Sequence, residues 1–116
     1  MHELALTESL VDRVADRTVG RRVSAVHVRV GLLSGVVPEA MEFCFDVATA
    51  GGPLEGATLV VERVPGRIAC RGCGTESAAD DLVLVCPCGS ADVEVVAGQE
   101  LTLARVELVR EATPCV

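Results

Sequence analysis

The chain contains no Lys, no Asn, no Tyr and no Trp, and only two Phe and one Ile. Without aromatic residues beyond Phe43 and Phe45, a platform on which nucleic-acid bases could stack cannot be built. The ten basic residues, all Arg, are outnumbered by seventeen Asp plus Glu, and the net charge of -7 opposes a phosphate backbone, so a nucleic-acid binder is excluded. No uncharged apolar run approaches the roughly 20 residues of a bilayer span. Met1-His2-Glu3 places an acid where a signal peptide carries positive charge, and Thr7, Glu8 and Asp12 interrupt the apolar residues that follow. These absences lead us to expect a soluble, cytoplasmic chain without a membrane segment. Its 116 residues leave room for one domain, or one small domain with a smaller appendage.

What is present has helical and strand periods in turn. Leu6, Leu10, Val11, Val14 and Ala15 recur at helical spacing between Leu4 and about residue 18, and Gly20 suits the position past the helix end. Val23 to Val30 alternates, with Val26, Val28 and Val30 on one side and Ala25, His27 and Arg29 on the other, as in a half-buried strand. After the turn bracketed by Gly31 and Gly35, Pro38 is placed to begin a second helix, with Ala40, Met41, Cys44, Phe45 and Ala48 as its buried stripe. A β-rich stretch, Ala57 to Val64, precedes a Cys- and Gly-rich segment that runs to about Val96. Strand-like composition then returns over Leu101 to Val109, where the apolar face changes side in a way that suggests a bulge. We place this last strand in the sheet of the first two. The expected architecture is α+β: two helices on a small three-stranded sheet, residues 1–64 plus 97–116, with a zinc-ribbon-like β domain, residues 65–96, inserted in it.

Six Cys in 116 residues is about 5%, below the roughly 8–10% of a disulfide scaffold, and four of them form two tight pairs. Cys70-Arg71-Gly72-Cys73-Gly74 and Cys86-Pro87-Cys88-Gly89 are separated by twelve residues, so two turns can each present two thiolates to one tetrahedral ion. Glycine after a ligand can take the positive φ that turns backbone N–H groups toward sulfur. Four thiolates make a closed structural site, and a segment so poor in apolar bulk needs such a staple. Zn²⁺ is expected; a tetrathiolate iron site has the same ligands and stays open at this point. The second pair has one intervening residue instead of the usual two. Cys44 and Cys115 are the alternative thiols, the first better read as buried on its helix.

His2 carries specific chemistry too. A free terminal amine, the amide nitrogen of residue 2 and the imidazole can chelate one metal in a plane, an arrangement suited to Ni²⁺ or Cu²⁺, and Glu3 can add an oxygen. Met1-His2-Glu3-Leu4, Gly31-Leu32-Leu33-Ser34-Gly35-Val36, the two Cys pairs and Gly98-Gln99-Glu100-Leu101 occur in one order along this chain. In these motifs the sequence closely resembles the HypA/HybF family of hydrogenase maturation nickel metallochaperones. The resemblance implies a non-enzymatic carrier that takes Ni(II) as cargo at Met1, His2 and Glu3. It further implies structural Zn(II) on Cys70, Cys73, Cys86 and Cys88, and delivery toward a [NiFe]-hydrogenase. The partners it implies are a nickel-inserting maturation GTPase, the hydrogenase large subunit and, for some members, urease accessory proteins, with the chain a monomer or a homodimer. The departure from the family pattern is the second pair, which usually reads Cys-Pro-x-Cys-Gly.

Other constellations read as structural. His27 belongs to the more polar face of its strand beside Arg29. Asp80-Asp81 has no His or nucleophile nearby in sequence and reads as a solvated turn. Gly31 to Gly35 lacks the Lys and spacing of a phosphate loop. The rival reading is a zinc-ribbon protein–protein interaction module with no nickel role, which would share the Cys cluster but not need His2.

Overall fold

The computed structural model describes residues 3–79 and 82–110. Helix α1 (Glu3–Arg17) and helix α2 (Pro38–Thr49) flank strand β1 (Val23–Gly31) in sequence, and strand β2 (Thr58–Val64) follows α2. Because α2 lies between them as a crossover, β1 and β2 pair in parallel, Val26 beside Leu59 and Val28 beside Val61. The last strand, β6 (Leu101–Leu108), pairs antiparallel with the other edge of β1 and completes the order β2-β1-β6. This is the three-stranded α+β arrangement expected from the periodicity.

Both helices pack on one face of that sheet. Val26, Val28 and Val30 of β1 meet Val11 and Val14 of α1 and Met41 and Phe45 of α2, with Leu54 and Leu59 closing the core. Valine supplies most of this bulk, as a chain without large aromatics requires. The buried stripe of α1 is Glu3, Thr7, Val11 and Val14, turned from the Leu6-Leu10 line that hydrophobicity alone suggests. Thr7 tolerates complete burial because its Oγ1 donates to the Glu3 carbonyl one turn earlier. Leu6 and Leu10 line a groove between α1 and β6 instead.

The change of face in β6 is a bulge. His27 opposes Arg105 and Val28 opposes Leu103, so Ala104 is the extra residue. It keeps Leu101, Leu103, Val106 and Leu108 all on the helix side, opposite Val30, Val28, Val26 and Val23. Thr102, Arg105 and Glu107 take the other face.

Between β2 and β6 the chain builds a second, antiparallel sheet of strands β3 (Gly66–Cys70), β4 (Glu76–Ala79) and β5 (Val93–Ala97), in the order β4-β3-β5. Its buried core is slight: Ile68, Ala79 and Leu33, with Leu84, Val93 and Val95 packed around them. Leu33 comes from the Gly31–Gly35 turn, so the turn after β1 plugs into the second sheet. The connection is tight because backbones touch: a Cβ on Gly31 would collide with the Gly98 carbonyl, and one on Gly98, at φ +100°, with the Gly66 backbone. Gly31 N–H donates to Glu100 O and Leu33 N–H to Gly98 O, each at 2.7 Å. The radius of gyration is 18.4 Å, well above the about 13 Å of a compact chain this long, and the longest dimension is 67 Å.

Candidate metal centre

Strand β3 ends on Cys70, and the chain then turns so that Gly74 N–H donates to Cys70 O at 2.9 Å and Cys70 N–H to Thr75 O at 3.0 Å. The second turn repeats the device on a shorter span, with Gly89 N–H to Cys86 O at 2.8 Å and Cys86 N–H to Ser90 O at 2.8 Å. Gly74 and Gly89, at φ +75° and +96°, supply the left-handed residue each turn needs. The single missing residue in Cys86-Pro87-Cys88 is absorbed there, since the closing bond spans three residues in the second turn and four in the first. Arg71 braces the pair of turns by donating to Asp92 Oδ1 at 2.9 Å.

These turns bring the sulfurs of Cys70, Cys73, Cys86 and Cys88 within 4.8 Å of one another. Cys70 Sγ is 3.7 Å from Cys88 Sγ, and Cys73 Sγ is 3.6 Å from Cys86 Sγ. Thiolates at about 2.3 Å from a tetrahedral Zn²⁺ stand about 3.8 Å apart, so the cage has the dimensions of that ion. Cys70 and Cys86 are buried, whereas Cys73 and Cys88 are exposed. Cys73 N–H points to Cys70 Sγ at 3.4 Å and helps hold the Cys70 thiol below its usual range. Hydrogen bonds from the Thr75 side chain and backbone bring Cys73 down to about 6. Cys86 is the opposite case. The Cys88 backbone N–H favours its thiolate, but burial and the neighbouring sulfurs of Cys88, Cys73 and Cys70 outweigh it and push Cys86 up to about 12. So many sulfurs share one small volume that the full set of negative charges requires a cation among them. The donor set and the spacing both fit Zn²⁺.

Met1, His2, Asp80, Asp81 and Cys115 lie outside the described residues. Glu3 is buried at 6% exposure, and its Oε2 accepts from Val37 N–H at 3.4 Å. Val37 is the N-cap of α2 and offers no side-chain cap of its own. Glu3 therefore puts a carboxylate at the positive end of a second helix, a long-range role that sequence spacing does not reveal. Cys44 is partly buried on α2, apart from the four-sulfur cluster. His27 projects from the sheet face away from the helices, with Nε2 3.4 Å from Glu107 Oε1.

Comparison with known proteins extends this picture to the whole chain. The family model described as hydrogenase/urease nickel incorporation, metallochaperone, hypA, matches residues 1–108. The hydrogenase maturation factor HypA of Geobacter metallireducens is 47% identical over 109 residues, 93% of this chain and 99% of that protein. That of a Roseiflexus species is 46% identical over 113 residues, 92% and 91% of the two chains. The solution structure of the Ni metallochaperone HypA from Helicobacter pylori aligns with a TM-score of 0.63 at 22% identity, covering 96% of this chain and all of that one, which shows a shared fold. A match that takes in both sheets and the helices, with relatives near half identity along nearly the full length, means that the chain belongs to the HypA family of nickel-incorporation metallochaperones for hydrogenase maturation.

Proposed function

We propose that this chain carries Ni(II) at its amino terminus, through the Met1 amine and the backbone and imidazole of His2 with help from Glu3, and passes it toward a [NiFe]-hydrogenase. The observation that carries the reading is the span of the family match, which takes in the Met1-His2-Glu3 segment as well as the Cys pairs. In this reading Cys70, Cys73, Cys86 and Cys88 hold a structural Zn(II). Their sulfur spacing supports that role, and a closed tetrathiolate site leaves no open position for hydrolytic chemistry, in keeping with a carrier that is not an enzyme. Residues 65–96 then act as a metal-stapled unit inserted into the α/β unit of residues 1–64 and 97–116. The finer partners are a nickel-inserting GTPase and the hydrogenase large subunit, with urease accessory proteins as further recipients, and the working compartment is the cytoplasm. Among the described residues no helix is long and apolar enough to cross a membrane.

Calorimetric titration of nickel into three forms of the chain tests the site. His2→Ala, or one extra residue before Met1, is expected to abolish tight nickel binding while zinc content and fold stay unchanged, since either change breaks the chelate rings. Equal affinity in all three would remove the terminal amine and imidazole from the ligand set. It would leave the zinc-ribbon interaction module as the better reading.

A further inference from the structure

Only two Phe occur in the chain, and one of them is on the surface: Phe43 of α2 is 71% exposed, although Phe45 two residues on is fully buried. The helix has two apolar faces. Met41, Phe45 and Thr49 turn into the core. Ala40, Phe43, Cys44 and Val47 fall at the i, i+3, i+4, i+7 spacing of a second stripe on the outer side, with Val47 55% exposed and Ala40 and Cys44 half-buried. Along one flank of that stripe run Glu39, Glu42 and Asp46, and α2 carries no basic residue. Arg63 of β2 engages Glu39 at 2.6 Å, but among the described residues no ion pair reaches Glu42 or Asp46. Those two carboxylates line an open recess of about 230 Å³ between α2 and β2, completed by Ala57, Thr58 and Leu59.

We propose that the outer face of α2 receives an amphipathic helix of another protein, whose aliphatic row covers Phe43 and Val47 and whose flanking Lys or Arg enters the recess at Glu42 and Asp46. A long basic side chain suits that recess twice over, its aliphatic stem against Ala57 and Leu59 and its charged head at the carboxylates. Charge selects this occupant. Two copies of α2 face to face would set one acidic row against the other, and an anionic bilayer would meet the same repulsion. A basic helix turns that row into attraction, which steers the encounter and fixes the register of the apolar contact. The stripe is also one that burial against the sheet does not explain, since Met41 and Phe45 already supply the core contacts of α2. The surface uses none of the proposed nickel or zinc ligands, so it stands or falls independently of the proposed function.

Fluorescence anisotropy of labelled synthetic peptides with the full-length, zinc-loaded chain tests the surface. The probes are amphipathic helices long enough to span α2, with a leucine row at i, i+3, i+4, i+7 flanked by Lys and Arg, and the same helices with Glu in place of every cation. The basic peptides are expected to bind and the acidic ones not. Phe43→Ser and Val47→Ser are each expected to weaken binding by about tenfold. Glu42→Gln together with Asp46→Asn is expected to weaken it by a similar factor and to flatten its salt dependence. Overall charge is controlled by Asp16→Asn with Glu94→Gln, which moves the chain by two units from -7 to -5 as the recess pair does and is expected to leave binding unchanged. All these positions are exposed or outward-facing, and circular dichroism of each variant verifies the fold. Basic peptides that fail to bind, acidic peptides that bind equally, full affinity in Phe43→Ser, or equal losses in the control and recess pairs would each overturn the proposal. So would binding of the chain to phosphatidylglycerol vesicles that Phe43→Ser abolishes, since a membrane would then be the occupant.

Discussion

The two sheets of this protein have the same number of strands and are held by different means. The β2-β1-β6 sheet has two helices over one face and a core in which Val14, Val26, Val28, Val30, Met41, Phe45 and Leu54 are almost fully buried. Among the described residues the β4-β3-β5 sheet has no helix and buries little besides Ile68, Ala79 and a leucine borrowed from the other sheet's turn. So small an apolar core does not offset the conformational entropy of some thirty ordered residues. Under the proposed zinc assignment, metal-binding energy at the four sulfurs becomes folding energy. The contrast teaches that one short chain can divide its stability between solvent exclusion and coordination.

Removing the metal should break the comparison most severely. Cys70→Ser, or exhaustive chelation, is expected to release zinc and speed amide exchange across residues 66–97 by roughly a hundredfold or more, with exchange in α1, β1 and α2 nearly unchanged. Uniform slow exchange in the metal-free chain would show that the small core suffices. The reciprocal experiment is Phe45→Ala, which opens a cavity at a side chain with no solvent exposure. It should cost about 3–5 kcal/mol in denaturant unfolding of the α/β unit while zinc stoichiometry stays at one per chain.

Leu33 tests whether the two regions are independent. Leu33→Ala removes a main apolar contributor to the small core and is expected to cost about 2–3 kcal/mol, read as easier zinc loss to a competing chelator. Its exposed neighbour should not behave this way: Leu32→Ala is expected to change little.

Zinc affinity should also depend on pH with a defined sign. Burial and the neighbouring sulfurs push Cys86 up to about 12 and hydrogen bonds bring Cys73 down to about 6 in the assembled cluster. In the metal-free chain, where the segment loses its fold, an ordinary thiol titrating at about 8.5 also holds its proton at pH 7, so binding must displace protons. Affinity is therefore expected to rise about tenfold per pH unit above pH 7 for each such proton displaced, and to fall on acidification. Competition titrations with a zinc indicator at several pH values would measure the slope, and a flat profile would refute the assignment of a protonated ligand. The smallest expected effect is that of Glu3→Gln, which removes the negative charge at the start of α2. It should lower the melting temperature of the α/β unit slightly relative to wild type, a deficit that high salt shrinks, read by thermal unfolding.

Much of this organisation was legible before the structure. Period 3.6 between Leu4 and residue 18, alternation from Val23 to Val30, Pro38 at a helix start and the spacing of the two Cys pairs are local signals, written in residues that touch or nearly touch in sequence. The face change in β6 was also visible, although only the pairing with β1 shows that Ala104 is the inserted residue and that one face stays apolar throughout. That Glu3 and Thr7 are buried on α1 was not legible in the sequence. Their burial depends on where α2 begins, and no helical period contains that information.

The sequence by itself determined the two helices and the strands of the first sheet, and that four thiols come in two closely spaced pairs. Those properties follow from local sterics, periodicity and composition. Only the tertiary structure decided that Leu33 leaves its own sheet to serve the other and that Gly31, Gly66 and Gly98 permit three backbones to meet. It also decided that the shortened Cys86-Pro87-Cys88 turn still brings its sulfurs to tetrahedral spacing. Each of these depends on distances between segments remote in sequence, and such distances exist only after burial and hydrogen bonding have fixed how the segments pack.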